Sequence, residues 1–536
     1  MANKNVFKSA SSNSSKVSVA ATAAAAAEVI ATNTVNEAGG RAYSLSDESA
    51  LAQMALTGCF NGTFYAGAEQ TLKDLLARAI RVRPEFLAKL AVYSRTRGFM
   101  KDSSALLLAV LMVRDIEQFK QVFPLVIDNG KMLRTFVQVV RSGQVGRKSF
   151  GSAPKRLIRQ WLEGRSDKHL FEDSVGNEPS LVDIIKMVHP KPGSKAREVF
   201  YRYLLGKQVE NLSDLPKNVQ EFEEFKRSPK GERKVPNVPF QMLTALDLSD
   251  AEWTEIAKNG RWHQTRMNLN TYARHNVFKN EEVVNRLAVK LGTPEEVRSA
   301  RVFPYQLYIA NQSIGAEVPQ KLRDALGDAM EVATQNVGKI KGKVYVGVDY
   351  SGSMTAPVTG NRGSATTRVS CNQVGSLMAA CILRNSENCT VYRFDTSASL
   401  LSLNPRDSVM KLTSQIGANG GGTDCSSVLK DLNMRSAKGD VVFIISDDQS
   451  WVTQASHGNA TGVAAEWSKF KNRNPSAKLV LVDLAAGTTT QAPPLQDVLH
   501  VGGFSDTVFE VVNAFLENSE NSPEYWVNKI LTDTPT

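Results

Sequence analysis

Two patterns of apolar positions divide the chain. From Tyr43 to about Asn336 apolar residues recur at three- and four-residue intervals, as in the stripe Leu72, Leu75, Leu76, Ala79 and Ile80, which predicts helices with one face turned inward. Ser46-Asp47-Glu48-Ser49 opens an earlier helix with a capping serine and acids in its first turn. Paired helices are predicted over residues 84–97 with 104–113, and 116–123 with 131–141. Pro or Gly punctuates the series at Phe123-Pro124, Asn129-Gly130 and Ser142-Gly143. That rhythm predicts stacked helical hairpins, an all-α solenoid of the HEAT-like kind, with an irregular helical bundle as the alternative.

Beyond residue 340 the pattern changes to short apolar runs separated by helical segments. Strands are predicted at 343–349, 390–394, 441–446 and 478–482, alternating with helices at 372–384, 426–432, 464–471 and 507–516. Alternation of this kind predicts an α/β doubly wound, Rossmann-like domain with a parallel sheet. The expected organisation is therefore a tail at 1–40, a helical-repeat domain at 41–340, an α/β domain at 341–520 and a second tail at 521–536. The first tail is Ala- and Ser-rich and is expected to be disordered or loosely helical. It resembles a signal peptide only superficially, because Glu28 interrupts the alanines.

The first predicted strand, Val344-Tyr345-Val346-Gly347-Val348, ends in Asp349-Tyr350-Ser351-Gly352-Ser353. Alternate residues of a turning chain there aim one carboxylate and two hydroxyls at one point. With no Cys or His among the donors, the ion they suit is Mg²⁺, Mn²⁺ or Ca²⁺ rather than zinc. Two later stretches complete the set: Gly420-Gly421-Gly422-Thr423-Asp424, a glycine loop delivering a threonine, and Val441 to Asp448, a second buried strand ending in carboxylates. Together the three pieces resemble the metal-ion-dependent adhesion site of von Willebrand A domains. That resemblance implies Ser351, Ser353 and Thr423 on the ion, with Asp349 and Asp447 acting largely through water.

Charge adds a second candidate surface. The net charge is +10, and residues 341–536 hold 16 Lys and Arg against 18 Asp and Glu, leaving 48 against 36 for residues 1–340. A basic surface in the helical part points to nucleic acid, where neutralising phosphates releases counterions; a solvated surface kept for solubility is the alternative. The basic density peaks at Arg141, Arg147, Lys148, Lys155, Arg156, Arg159 and Arg165. Gly143, Gly146 and Gly151 keep much of this stretch loop-like. A helix entered at Pro154 would place Lys155 and Arg159 on one face while Leu157, Ile158, Trp161 and Leu162 pack inward. A second segment runs from Asp183 to Pro192, with a helix ending at His189 before Pro190 and with Lys186 and Lys191 beside it. A third, from Arg261 to Asn276, interleaves Arg266, Arg274 and His275 with Trp262, Tyr272 and several amides. That mixture suits single-stranded nucleic acid, and equally a helix interface with buried amides.

Other classes find little support. The five cysteines (Cys59, Cys371, Cys381, Cys389, Cys425) are odd in number and unclustered, which suits a reducing compartment and neither a disulfide framework nor a zinc site. No run approaches the ~18 apolar residues of a membrane span, and a cytoplasmic protein is expected. There is no phosphate loop ending in Gly-Lys-Ser/Thr, so ATP hydrolysis is not expected. No His or Lys stands beside the metal motifs as a base and Asp448 is a thin candidate, so binding is expected rather than catalysis.

Four segments carry a wider resemblance: Leu51 to Tyr65, Asp183 to Pro192, Arg266 to Phe278, and Gly421-Gly422-Thr423-Asp424-Cys425-Ser426. On them the helical part resembles the TROVE module, and helical module plus A domain resembles the Ro autoantigen family in its bacterial form. The resemblance implies a ring of helical repeats closed by the A domain. Its outer basic face, here His189 with Lys155 and Arg159, would bind a Y RNA, and its channel would take single-stranded ends of misfolded or structured RNAs. It further implies a monomeric ribonucleoprotein in RNA quality control or ribosomal RNA maturation, working with exoribonucleases such as polynucleotide phosphorylase. The competing expectations are a metal-dependent protein-adhesion module and a metal nuclease.

Overall fold

The computed structural model describes residues 30–57, 68–358, 369–417, 420–451, 459–485, 487–505, 507–519 and 521–536. Residues 1–29 of the predicted tail, and Gly58 to Tyr65 of the first resembling segment, lie outside the described residues. Among the described residues the strands are β1 (Thr34–Val35), β2 (Arg41–Ser44), β3 (Ile340–Asp349), β4 (Ser386–Phe394), β5 (Ala398–Leu400), β6 (Val441–Ser446), β7 (Lys478–Asp483), β8 (Thr489–Thr490) and β9 (Val498–Gly502).

The α/β part is built on the sheet order β5-β4-β3-β6-β7-β9. All its pairings are parallel except the short β5, which runs antiparallel on β4. Every residue of β6 is buried, which is why Val441 to Ile445 reads as an unbroken apolar run instead of alternating. From β3 the chain crosses through helix Cys371–Arg384 to β4 on one flank, then returns to β6 on the other. Strand order thus reverses between β3 and β6, and a crevice is expected at their carboxyl ends. The four predicted strands are all present; β5, β8, β9 and helix Val409–Ile416 were not predicted.

In the helical part the predicted pairs form as Pro84–Thr96 with Asp102–Arg114, and Ile116–Val126 with Gly130–Ser142. Two local expectations need correction. Pro124 lies inside its helix, not at a boundary, and Ile80 is 59% exposed, outside the buried stripe. Both ends of the helical series dock on the α/β part. At the first end, helix Asp47–Leu56 packs on β9 and helix Pro84–Thr96 packs on the C-terminal helix Tyr525–Asp533. Lys89 Nζ donates to the carbonyls of Leu531 at 2.7 Å and Thr534 at 3.1 Å, capping that helix. At the far end, Glu331 of helix Gln320–Ala333 pairs with Arg384 at 2.8 Å and accepts from the Val409 amide at 3.0 Å.

The supposed tails belong to this clasp. Within residues 30–40, β1 pairs with β2, and β2 pairs in turn with β8 of the α/β part. Residues 521–536 carry helix Tyr525–Asp533, whose Trp526, Val527 and Ile530 are buried. Sequence periodicity misses both because each is short and is stabilised by distant residues.

One buried ion pair fixes the irregular stretch before helix Asp250–Asn259. Arg233 binds Glu252 through Nε at 2.7 Å and a terminal nitrogen at 2.9 Å, and the amides of Ser249 (2.7 Å) and Gly231 (3.2 Å) donate to the same carboxylate. Burial alone would raise the Glu252 pKa, but these four donors outweigh it and hold the group down at about 2. Glu252→Gln strands the Arg233 charge and is expected to cost about 3–5 kcal/mol at neutral pH. Because the folded carboxyl titrates below its unfolded value, this contribution is complete above the unfolded pKa and fades as pH falls toward 2. Denaturant titrations of both proteins between neutral pH and pH 3 should show the gap narrowing only below about pH 4.5.

Candidate functional site

The crevice between β3 and β6 is lined by the residues the sequence singles out. Asp349, Ser351, Ser353, Thr423 and Asp447 are all buried. The Ser351 amide donates to Asp349 Oδ1 at 2.8 Å, folding the chain so that Ser351 Oγ and Ser353 Oγ stand 3.3 Å apart. The glycine loop is tied to this turn by a bond from the Gly352 amide to the Gly421 carbonyl at 3.1 Å. A β-carbon on Gly421 would stand 2.9 Å from Asp395 Oδ2, which accounts for glycine where the two loops meet. From β6, Ser446 Oγ donates to Asp349 Oδ2 at 2.7 Å, and Asp447 Oδ1 accepts from the Gln449 amide at 3.3 Å.

Four carboxylates converge here: Asp349, Asp447, Asp448 and Asp483, all buried. Burial first, and mutual repulsion second for Asp349, Asp448 and Asp483, raise their pKa values; for Asp447 burial is the leading cause. Asp448 Oδ1 is buried without a hydrogen-bond partner. Among the described residues no three of His, Cys, Asp and Glu stand close enough to hold an ion by themselves, so the hydroxyls are a necessary part of any such site. The donor set, oxygen throughout and rich in uncompensated negative charge, fits a hard divalent cation. Lys430, beside the glycine loop, is held by Asp424 at 2.8 Å and is no free base.

Asp483 and Ser446 were not singled out from sequence. Asp483 ends an apolar strand just as Asp349 does, so the same reading applied to β7 finds it. Its partner, the Gln53 amide of helix Asp47–Leu56, is visible only in the fold.

The basic residues fall into two groups. Helix Ser152–Gly164 begins two residues before Pro154 and buries Ile158 and Leu162, with Leu157 and Trp161 partly buried beside them. Lys155, Arg156 and Arg159 remain on its outer side. Arg159 Nε donates to the Val188 carbonyl, which brings it against the end of helix Leu181–Val188. There His189, in the left-handed region at φ 48°, caps the helix as an exposed side chain, with exposed Lys191 following. Arg141 ends helix Gly130–Ser142 near Asp183, whose carboxyl is held low first by Ser180 and more weakly by Lys186 and Arg141. The loop between them is shaped: Gly143 has φ +81° with Lys148 lying over it, Arg147 Nε donates to the Ser149 carbonyl at 2.8 Å, and Phe150 packs on Phe136. Among the described residues none of Arg141, Arg147, Lys148, Lys155, Arg156, Arg159, Lys186 or Lys191 makes an ion pair, whereas nearby Arg165 binds Asp173 at 2.6 Å.

The third segment differs from its reading as a stacking platform. Trp262 and Tyr272 are core residues. Arg266 donates to the Gln306 carbonyl at 2.8 Å, its Nε is buried, and burial lowers its pKa. His275 lies flat on Trp253 with ring centroids 4.1 Å apart. Asn268 bonds back to the Gln264 carbonyl, while Asn270 and Asn276 bond Ser313 and Asp250 elsewhere in the helical domain. This is the alternative, a helix interface with internal amides, and only Arg274 of the three proposed contacts is exposed.

Residues 343–516 match the family model described as the Ro60 vWA domain. The chain is 23% identical over 518 residues to a protein of Deinococcus radiodurans named RNA-binding protein RO60, covering 90% of this chain and 94% of that one. A protein of the same name from Caenorhabditis elegans is 23% identical over 248 residues, 44% of this chain and 37% of the relative. The crystal structure of the Deinococcus radiodurans RO (RSR) protein superposes with a TM-score of 0.62 at 20% identity, covering 88% of this chain and 99% of that one. Residues 343–516 are thus a von Willebrand A domain of the Ro60 type, and helical part and A domain together resemble the Ro proteins along nearly the whole chain.

Proposed function

We propose that this chain is a non-enzymatic RNA-binding protein of the Ro kind. Its basic face around Lys155, Arg156, Arg159, His189 and Lys191 binds a small structured RNA of the Y RNA type. Its helical circuit takes single-stranded ends of misfolded or structured non-coding RNAs, in quality control or ribosomal RNA maturation beside an exoribonuclease. The observation that carries this reading is the gathering of unpaired cations at the meeting of three helices, in a chain that elsewhere matches arginines to acids. A polyanion supplies the missing partner charge. The names of the two relatives support RNA as that polyanion.

In the same proposal the A domain holds Mg²⁺, or a similar hard divalent cation, through Ser351, Ser353 and Thr423, with Asp349 and Asp447 orienting bound water. When bound, the ion supplies an electrophilic position for a carboxylate or phosphate oxygen of a protein partner. The chain's own residues hold the cup open: Ser446 and the Ser351 amide fix Asp349, and Gly421 lets the threonine loop approach.

Two measurements test these parts separately. Lys155→Ala with Arg156→Ala and Lys191→Ala removes cations that bond nothing among the described residues, so melting should be unchanged. RNA affinity should fall at least tenfold near physiological salt, with the slope of log affinity against log salt shallower by roughly one for each phosphate no longer neutralised. An unchanged slope would refute the assignment of this face. Saturating Mg²⁺, at about a hundredfold its dissociation constant, should stabilise the wild type by about 2.7 kcal/mol. Asp349→Ala should abolish that gain and leave RNA affinity within about twofold, as read by thermal melting and filter binding.

A further inference from the structure

The β1–β2 turn is bonded to the loop after β6, the loop that carries Asp447. Asn36, buried, donates through Nδ2 to the Ser450 carbonyl at 2.8 Å and accepts from the Gly40 amide at 2.7 Å, which locks the turn in place. The Ala38 amide donates to Gln449 Oε1 at 3.3 Å, and the Gln449 amide in turn donates to Asp447 Oδ1 at 3.3 Å. Between these two anchors stands Glu37, with an exposed side chain and a fixed backbone. We propose that Glu37 is a further carboxylate ligand for the ion of the Asp349, Ser351, Ser353 and Thr423 cup, supplied by the chain itself at the position a partner's carboxylate would otherwise take.

This rests on the metal reading above and adds to it a built-in competitor. The charges facing Glu37 are negative: Asp74 from helix Ala68–Arg81, Asp447 from the loop after β6, and Asp483 at the end of β7. No ion pair to Glu37 is formed among the described residues. The hairpin therefore fixes a fifth acid over four buried ones, and Asp448 Oδ1 in the same cluster is buried with no partner. Such an arrangement is unfavourable by itself and becomes favourable once a cation lies between the carboxylates. Because the backbone is held on both sides of residue 37, the proposal asks movement of the Glu37 side chain alone. An outside carboxylate then has to displace Glu37, so partner docking is weakened until the hairpin yields.

The test uses the full chain with Mn²⁺ as probe, read by electron paramagnetic resonance for free ion and by water-proton relaxation for water on bound ion. Glu37→Gln should bind Mn²⁺ about tenfold more weakly, with higher relaxation per bound ion as water takes the vacated position. Added acetate should lower that relaxation at lower concentration in Glu37→Gln than in wild type. Equal affinity and equal relaxation in the two proteins would overturn the role of Glu37 while leaving the cup intact. If wild type binds no Mn²⁺, or Asp349→Ala binds it as well as wild type, the cup itself is wrong and the Glu37 proposal falls with it.

Discussion

Burying Asp349, Asp447, Asp448 and Asp483 within one end of a parallel sheet is the constraint on which the rest of the α/β part depends. Each taken alone would be expected to titrate upward or to find a cation. Part of the repulsion is met by fixed dipoles: amides of Ser351, Gln449 and Ala485, and the Ser446 hydroxyl, all donate to these carboxylates. Those donors are available because strand order reverses between β3 and β6, so that the loops leaving the two strands diverge and their amides point into the gap. A hydrophobic redesign of the crevice would fill it more comfortably and would hold no ion.

The same end of the sheet is where the first helix of the described chain is fastened. Gln53, from the first described helix, reaches Asp483. Its Cγ lies where a β-carbon on Gly502 would stand, at 2.6 Å. Tyr305 meets Phe504 of the A domain at 4.9 Å between centroids, and the neighbouring Phe303 meets Phe99 at 5.3 Å. Early helices, late helices and A domain are thereby joined by a run of aromatic contacts, each of the kind that adds about 0.5–1.5 kcal/mol beyond area burial. The helical series is closed by its two ends meeting one rigid body rather than each other. The cluster of buried carboxylates and the helical closure thus share Asp483.

How much of this was legible depended on range. Helices between Pro84 and Ser142 were read nearly to their ends, because apolar spacing within one helix reports its own buried face. The gathering of Asp349 and Asp447 in one crevice was legible too, since both close apolar strands. What failed was long-range. The strand Arg41–Ser44, which pairs with β8, and the helix Tyr525–Asp533 owe their form to partners some four hundred residues away along the chain, and no local pattern encodes that. The segment from Arg261 to Asn276 failed for another reason. Interleaved cations, aromatics and amides serve a base-binding platform and a helix interface equally well, and only the burial of Trp262 and Tyr272 separates the two. The resemblance to Ro proteins carried the joining of a helical series to an A domain further than composition did.

Unpaired charge acquires meaning only against a background of paired charge. In the helical part Arg233 is matched to Glu252, Arg197 to Asp167 and Arg165 to Asp173, each within 2.7 Å. Acids able to neutralise the basic face were thus close at hand in the sequence, two of them on the very next turns of chain. They were placed instead on arginines that hold helices together, while Lys155, Arg156 and Lys191 point outward with none. The pairing of Arg159 with a carbonyl rather than a carboxylate follows the same logic: it caps a helix without an acid beside it. Solubility alone would be served by mixed charges on this surface, as on the rest of the helical part. Cations left without ion-pair partners among the described residues, even with Asp183 close to Arg141 and Lys186, are what a polyanion partner requires.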